Sequence, residues 1–219
     1  MNLDWSIVWR SRDALAGGTL ITILLTIATM LIAVPGGVVL AFMRLSPIRV
    51  LSLASAGFVE FFRNLPLILV IYWTFYVLPV LTGLEFSSFT TGLLALSMNI
   101  SAYNAETFRA GIVSIRRGQT EAALAIGMSR GQAMRQVVLP QAVRRVLPVL
   151  ASTWVSLFKD TSLVSVIGVA DLAHVSLQIR AQSFRVLEML TAMAAIYWLL
   201  GYPQAKIVDW INRRYGTTE

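Results

Sequence analysis

Seven polar or charged residues stand where the surrounding sequence is apolar, and their side chains could bind a polar solute. Amide, hydroxyl and charged groups are costly in lipid, so they are expected to face a bundle interior or a water-filled path. Such groups recognise a solute by hydrogen bonding and ion pairing. The pattern predicts a path for a polar solute. Its candidate residues are Asn64, Asn99, Ser101, Glu106, Lys159, Asp160 and Thr161.

The alternative for these charges is purely structural, because charges inside a membrane are usually paired. Lys159 would then pair with Asp160 or Glu106 and stabilise the bundle without touching any solute. The sequence leaves both interpretations open.

Catalysis is not expected of this chain. It has no cysteine and a single histidine, His174, with no cluster of carboxylates near it, so we predict no catalytic residue, no metal site and no cofactor. No stretch has the Gly-x-x-x-x-Gly-Lys-Ser/Thr pattern that holds nucleotide phosphates. If the chain takes part in an energy-driven process, the energy must come from a partner.

The composition is that of a polytopic membrane protein. Of 219 residues, 57% are hydrophobic and 13% charged, and the mean hydropathy is +0.71. The net charge of +7 comes from basic residues that flank apolar runs. This arrangement indicates contact with anionic lipid headgroups at the cytoplasmic side and argues against a nucleic-acid partner.

Five apolar stretches predict five transmembrane helices in an all-α fold. The first should bend at Pro35, and the fourth should be discontinuous, with two short apolar halves on either side of residues 159–162. The predicted spans are about 17–43, a span within 51–81, 88–112, 146–173 with its break, and 186–202.

The distribution of basic residues predicts the orientation. Twelve of the 18 Lys and Arg residues fall at 44–51, 104–150 and 203–219, which are on the same side if there are five spans. By the positive-inside rule the N-terminus is outside and the C-terminus is in the cytoplasm. The whole chain, 1–219, reads as a single transmembrane domain.

The cytoplasmic loop at about 113–145 is longer than a simple turn requires. It contains Glu121-Ala122-Ala123, three further residues, Gly127, nine further residues, Val137, one further residue and then Leu139-Pro140. Alanine favours helix, and glycine commonly ends one. The pattern predicts a helix, a sharp turn and a second helix.

The ends of these two helices have recognisable signals. Thr120 is predicted to cap the first helix and Gly127 to end it. Ser129 followed by Gln132 is a capping-box pattern that would open the second helix, which Pro140 would then bend towards the membrane.

With this spacing the loop resembles the conserved cytoplasmic motif of permease subunits in bacterial binding-protein-dependent ABC importers, with Val137 in place of isoleucine. The stretches 62–67, 105–112 and 159–163 are similar to the polar amino acid branch of that family. Within it, the sequence looks most similar to glutamate and aspartate permeases.

The resemblance implies a type I ABC importer permease fold in the bacterial inner membrane. It also implies a dimer of ATP-binding subunits, a second permease subunit that is identical or related, an external substrate-binding protein, and transport by alternating access. The residues that would couple to the ATPase are Glu121, Ala122, Ala123, Gly127, Leu139 and Pro140.

Two other functions fit the composition without the resemblance. A carrier or channel driven by an ion gradient would also have polar groups in its spans, but it would not need a large docking loop. A membrane-anchored scaffold would need neither, and it would not keep such costly polar groups in lipid.

Overall fold

The structure is a computed structural model that describes residues 3–216, so the ends of the predicted domain 1–219 lie outside the described residues. All regular elements among the described residues are helical. They are α1 (Ser6–Arg10), α2 (Arg12–Leu45), α3 (Arg49–Asn64), α4 (Leu67–Tyr72), α5 (Leu78–Thr82), α6 (Ser88–Val113), α7 (Arg117–Ala125), α8 (Arg130–Ala133), α9 (Leu139–Asp160), α10 (Leu172–Ser183) and α11 (Val186–Tyr215).

Helix α6 lies at the centre of the bundle, in contact with α2, α3, α4 and α9. Its 26 residues would measure about 39 Å, and they match the predicted third span closely. Asn99, Ser101 and Asn104 are all buried on it. The bundle therefore encloses the helix whose polar side chains lipid would not accept.

Helix α2 packs on α6 through small residues. Its buried positions follow one another at helical spacing, as in Thr22, Thr26, Thr29, Ala33 and Gly37. A Cβ atom added at Gly37 would lie 2.5 Å from the Cβ of Asn104. The absence of a side chain there lets the two backbones approach, as small residues do in many membrane bundles.

Proline does not interrupt α2. The helix continues through Pro35 to Leu45, and the bend at Pro35 stays a prediction. A hydrogen bond holds α3 against α2, since Ser55 Oγ of α3 donates to the carbonyl of Leu40 in α2 at 2.7 Å.

The second predicted span is not one continuous helix. The chain turns by 109° between α3 and the segment Leu67–Thr82, at Leu65 and Pro66. Proline favours an extended conformation in the residue before it, and Leu65 has φ −95° and ψ 139°. The apolar composition predicted a span, but the Leu-Pro step divides it.

Two π-helical turns, Trp73–Val77 and Met134–Val138, each end two residues before a proline, Pro79 and Pro140. A proline has no N–H to donate to the carbonyl four residues earlier, and its ring would clash with that carbonyl. The wider turn accommodates the ring, and α9 then continues through Pro148.

The break in the fourth span begins later than we predicted. Helix α9 runs through Lys159 and Asp160, and the chain then forms a 3-10 segment, Thr161–Ile167. Gly168 has φ 80° and ends that segment, and Asp171 caps α10 by accepting a hydrogen bond from the His174 amide at 2.9 Å. The polar residues 159–162 therefore do not themselves form the break, which extends over 161–171.

Helices α2 and α11 are each long and apolar enough to cross a membrane, and the count rises to four if each of two bent pairs is one span. The pairs are Arg49–Asn64 with Leu67–Thr82 and Arg130–Ile167 with Leu172–Ser183. Helix α6 is not among these helices, because its polar side chains lower its hydropathy.

The close contact of α2 with α6 predicts a cost for a single methyl group. Gly37→Ala should lower the Tm of the purified protein by about 5 °C, because overpacking of a tight contact costs about 1–3 kcal/mol. Thermal unfolding in detergent would measure it. Gly57→Ala is the matched control, since a Cβ there meets nothing within 4 Å. Equal Tm values for the two variants would contradict the packing described.

Candidate functional site

A cavity of about 450 Å³ lies between the Leu65–Leu67 turn, α6 and α9. Asn99 and Asp160, both predicted from the sequence, line it from opposite helices. Asp160 is its one acidic residue. The polar lining residues are Asn99, Tyr103, Ser152, Thr153, Ser156 and Asp160.

Asn99 fixes one wall of this cavity. It is 4% exposed, and its Nδ2 donates to the carbonyl of Phe62 at 3.0 Å, near the end of α3. Helix α3 therefore cannot move away from α6 without losing this bond. Tyr103, one turn later, donates from its hydroxyl to the Arg63 carbonyl at 3.4 Å.

Lys159 and Asp160 point in different directions because consecutive residues of an α-helix are about 100° apart. Lys159 lines a separate apolar cleft of about 350 Å³ against α11, beside Tyr197, Trp198 and Tyr202. Within residues 3–216 Lys159 forms no ion pair with Asp160 or Glu106. The paired arrangement weighed from the sequence is absent from this part of the chain.

Glu106 lines a second cavity of about 390 Å³, next to the first. It pairs with Arg109 one turn further along α6. Tyr103 and Val149 line both cavities, and the second also contains Arg63 and Arg145. The two cavities thus form adjoining parts of one face of the bundle, with an acidic residue in each and two arginines in the second.

The structure places four of the seven candidates outside both cavities, namely Lys159 in the cleft against α11 and the three residues Asn64, Ser101 and Thr161. Asn64 Nδ2 donates to the Glu60 carbonyl at 2.7 Å, within its own helix. Ser101 packs against α2, where a Cβ at Gly36 would lie 2.7 Å from its Oγ. Thr161 Oγ1 donates to the Phe158 carbonyl at 2.8 Å and is fully buried.

Sequence reasoning missed the hydroxyl groups of α9. Ser152, Thr153 and Ser156 line the first cavity with Asp160. Together with Val149 their spacing is three or four residues, which places them on one helical face. The helical spacing of these residues could have identified them from the sequence. They were missed because they are neutral and the stretch around them is mainly apolar.

A second candidate site is the hairpin of α7 and α8, within the loop that the sequence predicts to be cytoplasmic. Helix α7 begins at Arg117, so Thr120 lies inside it and does not cap it as predicted. The Arg116 N-cap makes no side-chain hydrogen bond, and Glu121 falls in the middle of the helix. The prediction was wrong because the helix starts one turn before the threonine.

The turn between α7 and α8 is formed as predicted. Gly127 has φ 88°, which glycine adopts without strain, and its amide donates to the Leu124 carbonyl at 3.0 Å. The Met128 amide donates to the Ala123 carbonyl at 3.1 Å, which completes a Schellman motif. Ser129 and Gln132 then form the predicted capping box.

The hairpin has an inner and an outer face. Ala123 is 4% exposed, and α7 packs on the π-helical turn Met134–Val138. On the outer face Glu121 and Ala122 are exposed, with Leu124 at 39% and Ile126 at 76%. Leu139 and Pro140 lie at the start of α9, and Pro140 is exposed. An exposed leucine and isoleucine beside alanines offer an apolar surface to a partner.

The arrangement defines a helical membrane protein with cavities partly lined by polar side chains and with a hairpin that exposes apolar side chains. Its family follows from its similarity to known proteins. Residues 33–217 match the family of binding-protein-dependent transport system inner membrane components. The glutamate/aspartate import permease protein GltK of Escherichia coli O157:H7 is 34% identical over 218 residues, covering 96% of this chain and 97% of that protein.

Two further similarities cover almost the whole chain. The glutamine transport system permease protein GlnP of Escherichia coli (strain K12) is 33% identical over 215 residues, covering 98% of each chain. A crystal structure of an amino acid ABC transporter with histidines contains a chain that is 33% identical, with a TM-score of 0.91, covering 98% of this chain and 100% of that one.

The chain therefore belongs to the family of inner membrane components of binding-protein-dependent transport systems. It is a multi-pass inner-membrane protein and a permease subunit of an ABC importer. The resemblance seen in the loop motif is confirmed. The family membership is therefore preferred to the two alternative functions, an ion-driven carrier and a membrane-anchored scaffold. Partners of the family in general are an ATP-binding subunit and a substrate-binding protein.

The capping box predicts a local effect on hydrogen exchange. Ser129→Ala removes a cap worth about 1 kcal/mol, so the Gln132 amide should exchange about fivefold faster. Exchange measured by mass spectrometry on peptides from α8 would show it. Peptides from α11 serve as the internal control, and an unchanged rate in α8 would contradict the cap.

Proposed function

We propose that this permease subunit moves polar amino acids, with glutamate and aspartate as its substrates, from a binding protein outside to the cytoplasm by alternating access. The chain is a permease of an amino acid ABC importer. The proposal includes its topology, its substrate path, its coupling residues and a second permease subunit, either identical or related.

The observation that carries the proposal is a continuous helical run from the hairpin to the cavity. Helix α8, the π-helical turn and α9 follow one another without a gap from Arg130 to Asp160. Such a run would measure about 46 Å. A movement of the hairpin would therefore be transmitted to the cavity wall at Asp160 through continuous helix, because no flexible linker lies between them.

For the topology, we propose five spans with the N-terminus outside and the C-terminus in the cytoplasm. Helix α6 is the fifth span in addition to the two single helices and two bent pairs. It needs less hydropathy than the others, because α2, α3, α4 and α9 cover it and shield its polar groups from lipid. Five spans also leave the hairpin and the basic α9 start on the cytoplasmic side.

For the coupling surface, we propose that the loop at about 113–145 docks on a dimer of ATP-binding subunits. Its proposed contact residues are Glu121, Ala122, Ala123, Gly127, Leu139 and Pro140. Ala123 is buried in the hairpin, so its contribution is to keep α7 close to the π-helical turn. Ala122, Leu124 and Ile126 supply the exposed apolar face, and Gly127 sets the angle between the helices.

For the substrate path, we propose the two adjoining cavities. Asn99 and Asp160 stand in the first and Glu106 in the second. A zwitterion with an acidic side chain would find Asp160 for its ammonium group and Arg63 or Arg145 for its carboxylates. Asn64, Ser101 and Thr161 hold the walls of this path. Lys159, predicted from the sequence as part of the path, lines the cleft against α11 and is not included in the proposed set.

The coupling surface is tested by adding charge to it. Leu124→Glu combined with Ile126→Glu should reduce copurification of the ATPase subunit more than about tenfold, because two carboxylates would be buried against an apolar partner surface. Gln136→Glu is the control, since it adds a carboxylate to an exposed position on the neighbouring turn. Full attachment and ATP-coupled uptake in the double variant would contradict the docking surface.

The substrate path is tested with neighbouring residues. Asp160→Asn should lower uptake about tenfold at saturating binding protein, because a charge-assisted hydrogen bond to the ammonium group contributes about 1.5–3 kcal/mol. Lys159→Gln should stay within about twofold, because Lys159 faces the other cleft. The measurement is labelled glutamate uptake in reconstituted vesicles. A loss in Lys159→Gln as large as in Asp160→Asn would count against the path.

The substrate itself is tested by competition in the same vesicles. Unlabelled glutamate and aspartate should inhibit labelled glutamate uptake more strongly than glutamine, histidine or arginine. Stronger inhibition by glutamine, histidine or arginine would contradict the proposal that the substrates are acidic. If that uptake still depended on ATP, the function as an importer permease would not be affected.

A further inference from the structure

Three arginines line one cleft of about 670 Å³, which lies on the cytoplasmic side in the topology proposed above. Arg144 and Arg145 come from α9, and Arg214 comes from the last turn of α11, next to Tyr215. The cleft is separate from the two cavities proposed for the substrate, although Arg145 borders the second of them. Three guanidinium groups at one cleft attract an anion.

No carboxylate among residues 3–216 pairs with these three arginines. Asp209 is the nearest acidic residue before Arg214 on α11, and it pairs with Lys206 at 3.7 Å. Arg145 has a fixed position, because its Nη1 donates to the Ser114 carbonyl at 2.8 Å. The cleft therefore holds a positive charge that this part of the chain does not neutralise.

The face of α11 that leads to the cleft is apolar and exposed. Ile207 is 58% exposed and Trp210 55% exposed. Arg214 follows Trp210 by four residues and Ile207 by seven, so all three share one helical face. Exposed tryptophan next to basic residues is typical of the boundary between hydrocarbon and headgroups.

We infer that this cleft binds the phosphate headgroup of an anionic phospholipid of the cytoplasmic leaflet. The guanidinium groups of Arg144 and Arg214 donate to the phosphodiester oxygens, Arg145 adds its positive charge at the edge of the cleft, and the acyl chains lie along Ile207 and Trp210. A basic pocket between transmembrane helices on the cytoplasmic side suits this chemistry. Arginine matches phosphate in a two-point geometry that lysine cannot form.

The occupied cleft would also join two parts of the permease. Arg144 and Arg145 belong to the continuous helical run from the hairpin to the cavity, whereas Arg214 belongs to α11. A bound headgroup bridges them by accepting charge-assisted hydrogen bonds from both parts. The lipid therefore stabilises the packing of the end of α11 on the start of α9.

The test uses the permease within its complete transporter and compares two adjacent arginines. Arg214→Gln removes a cleft residue, and Arg213→Gln removes a neighbouring charge that does not line the cleft. The complex is titrated with phosphatidylglycerol, and with phosphatidylcholine in parallel, and bound lipid is counted by native mass spectrometry. Arg214→Gln should weaken phosphatidylglycerol binding about tenfold, and Arg213→Gln should change it less than twofold.

Further arms separate the lipid from other anions and from a folding defect. Arg144→Gln should match Arg214→Gln, and Arg214→Lys should fold and recover part of the affinity. Inorganic phosphate at millimolar concentration should not displace the lipid. The inference is overturned if wild type shows no preference for phosphatidylglycerol over phosphatidylcholine, if both glutamine variants at 213 and 214 bind equally, or if phosphate displaces the lipid. Loss of the ATPase subunit from Arg214→Gln with unchanged lipid binding would also overturn it, because the cleft would then belong to that interface.

Discussion

Lipid cannot hydrogen-bond to polar side chains, and this constraint decides where α6 must lie. The helix carries Asn99, Ser101 and Asn104, which are all buried among other helices. Gly37 of α2 makes this enclosure tight, because a side chain there would overlap Asn104. Once α6 is central, its remaining polar face borders α9, and the cavity with Asp160 lies between the two helices.

The prolines determine how the other helices surround α6. Pro66 divides the second span, while Pro79 and Pro140 each follow a π-helical turn. Pro140 matters most for mechanism, because the helix widens before it and does not break. The hairpin thus remains connected to the cavity wall by continuous helix, and a movement of the hairpin has a direct route to Asp160.

Much of this was predictable from the sequence, and the failures have identifiable causes. The bounds of α6, the Gly127 turn and the capping box at Ser129 follow from local rules that do not depend on neighbours. Our predicted start of α7 was wrong because several neighbouring residues can begin a helix, and the sequence motif alone does not show which of them does. The position of Lys159 was beyond sequence reasoning, because only the packing of α9 shows which face meets the cavity.

The most direct test of the central claim uses the absence of native cysteine from this chain. Ser156→Cys places a thiol in the cavity, and Leu199→Cys places one on the exposed apolar face of α11. The cavity thiol should react with a charged, membrane-impermeant thiol reagent at a rate that changes when ATP and loaded binding protein are added, while the α11 thiol should stay unreactive. Equal reactivity at the two positions, or a cavity thiol that never reacts, would contradict a polar path between α6 and α9.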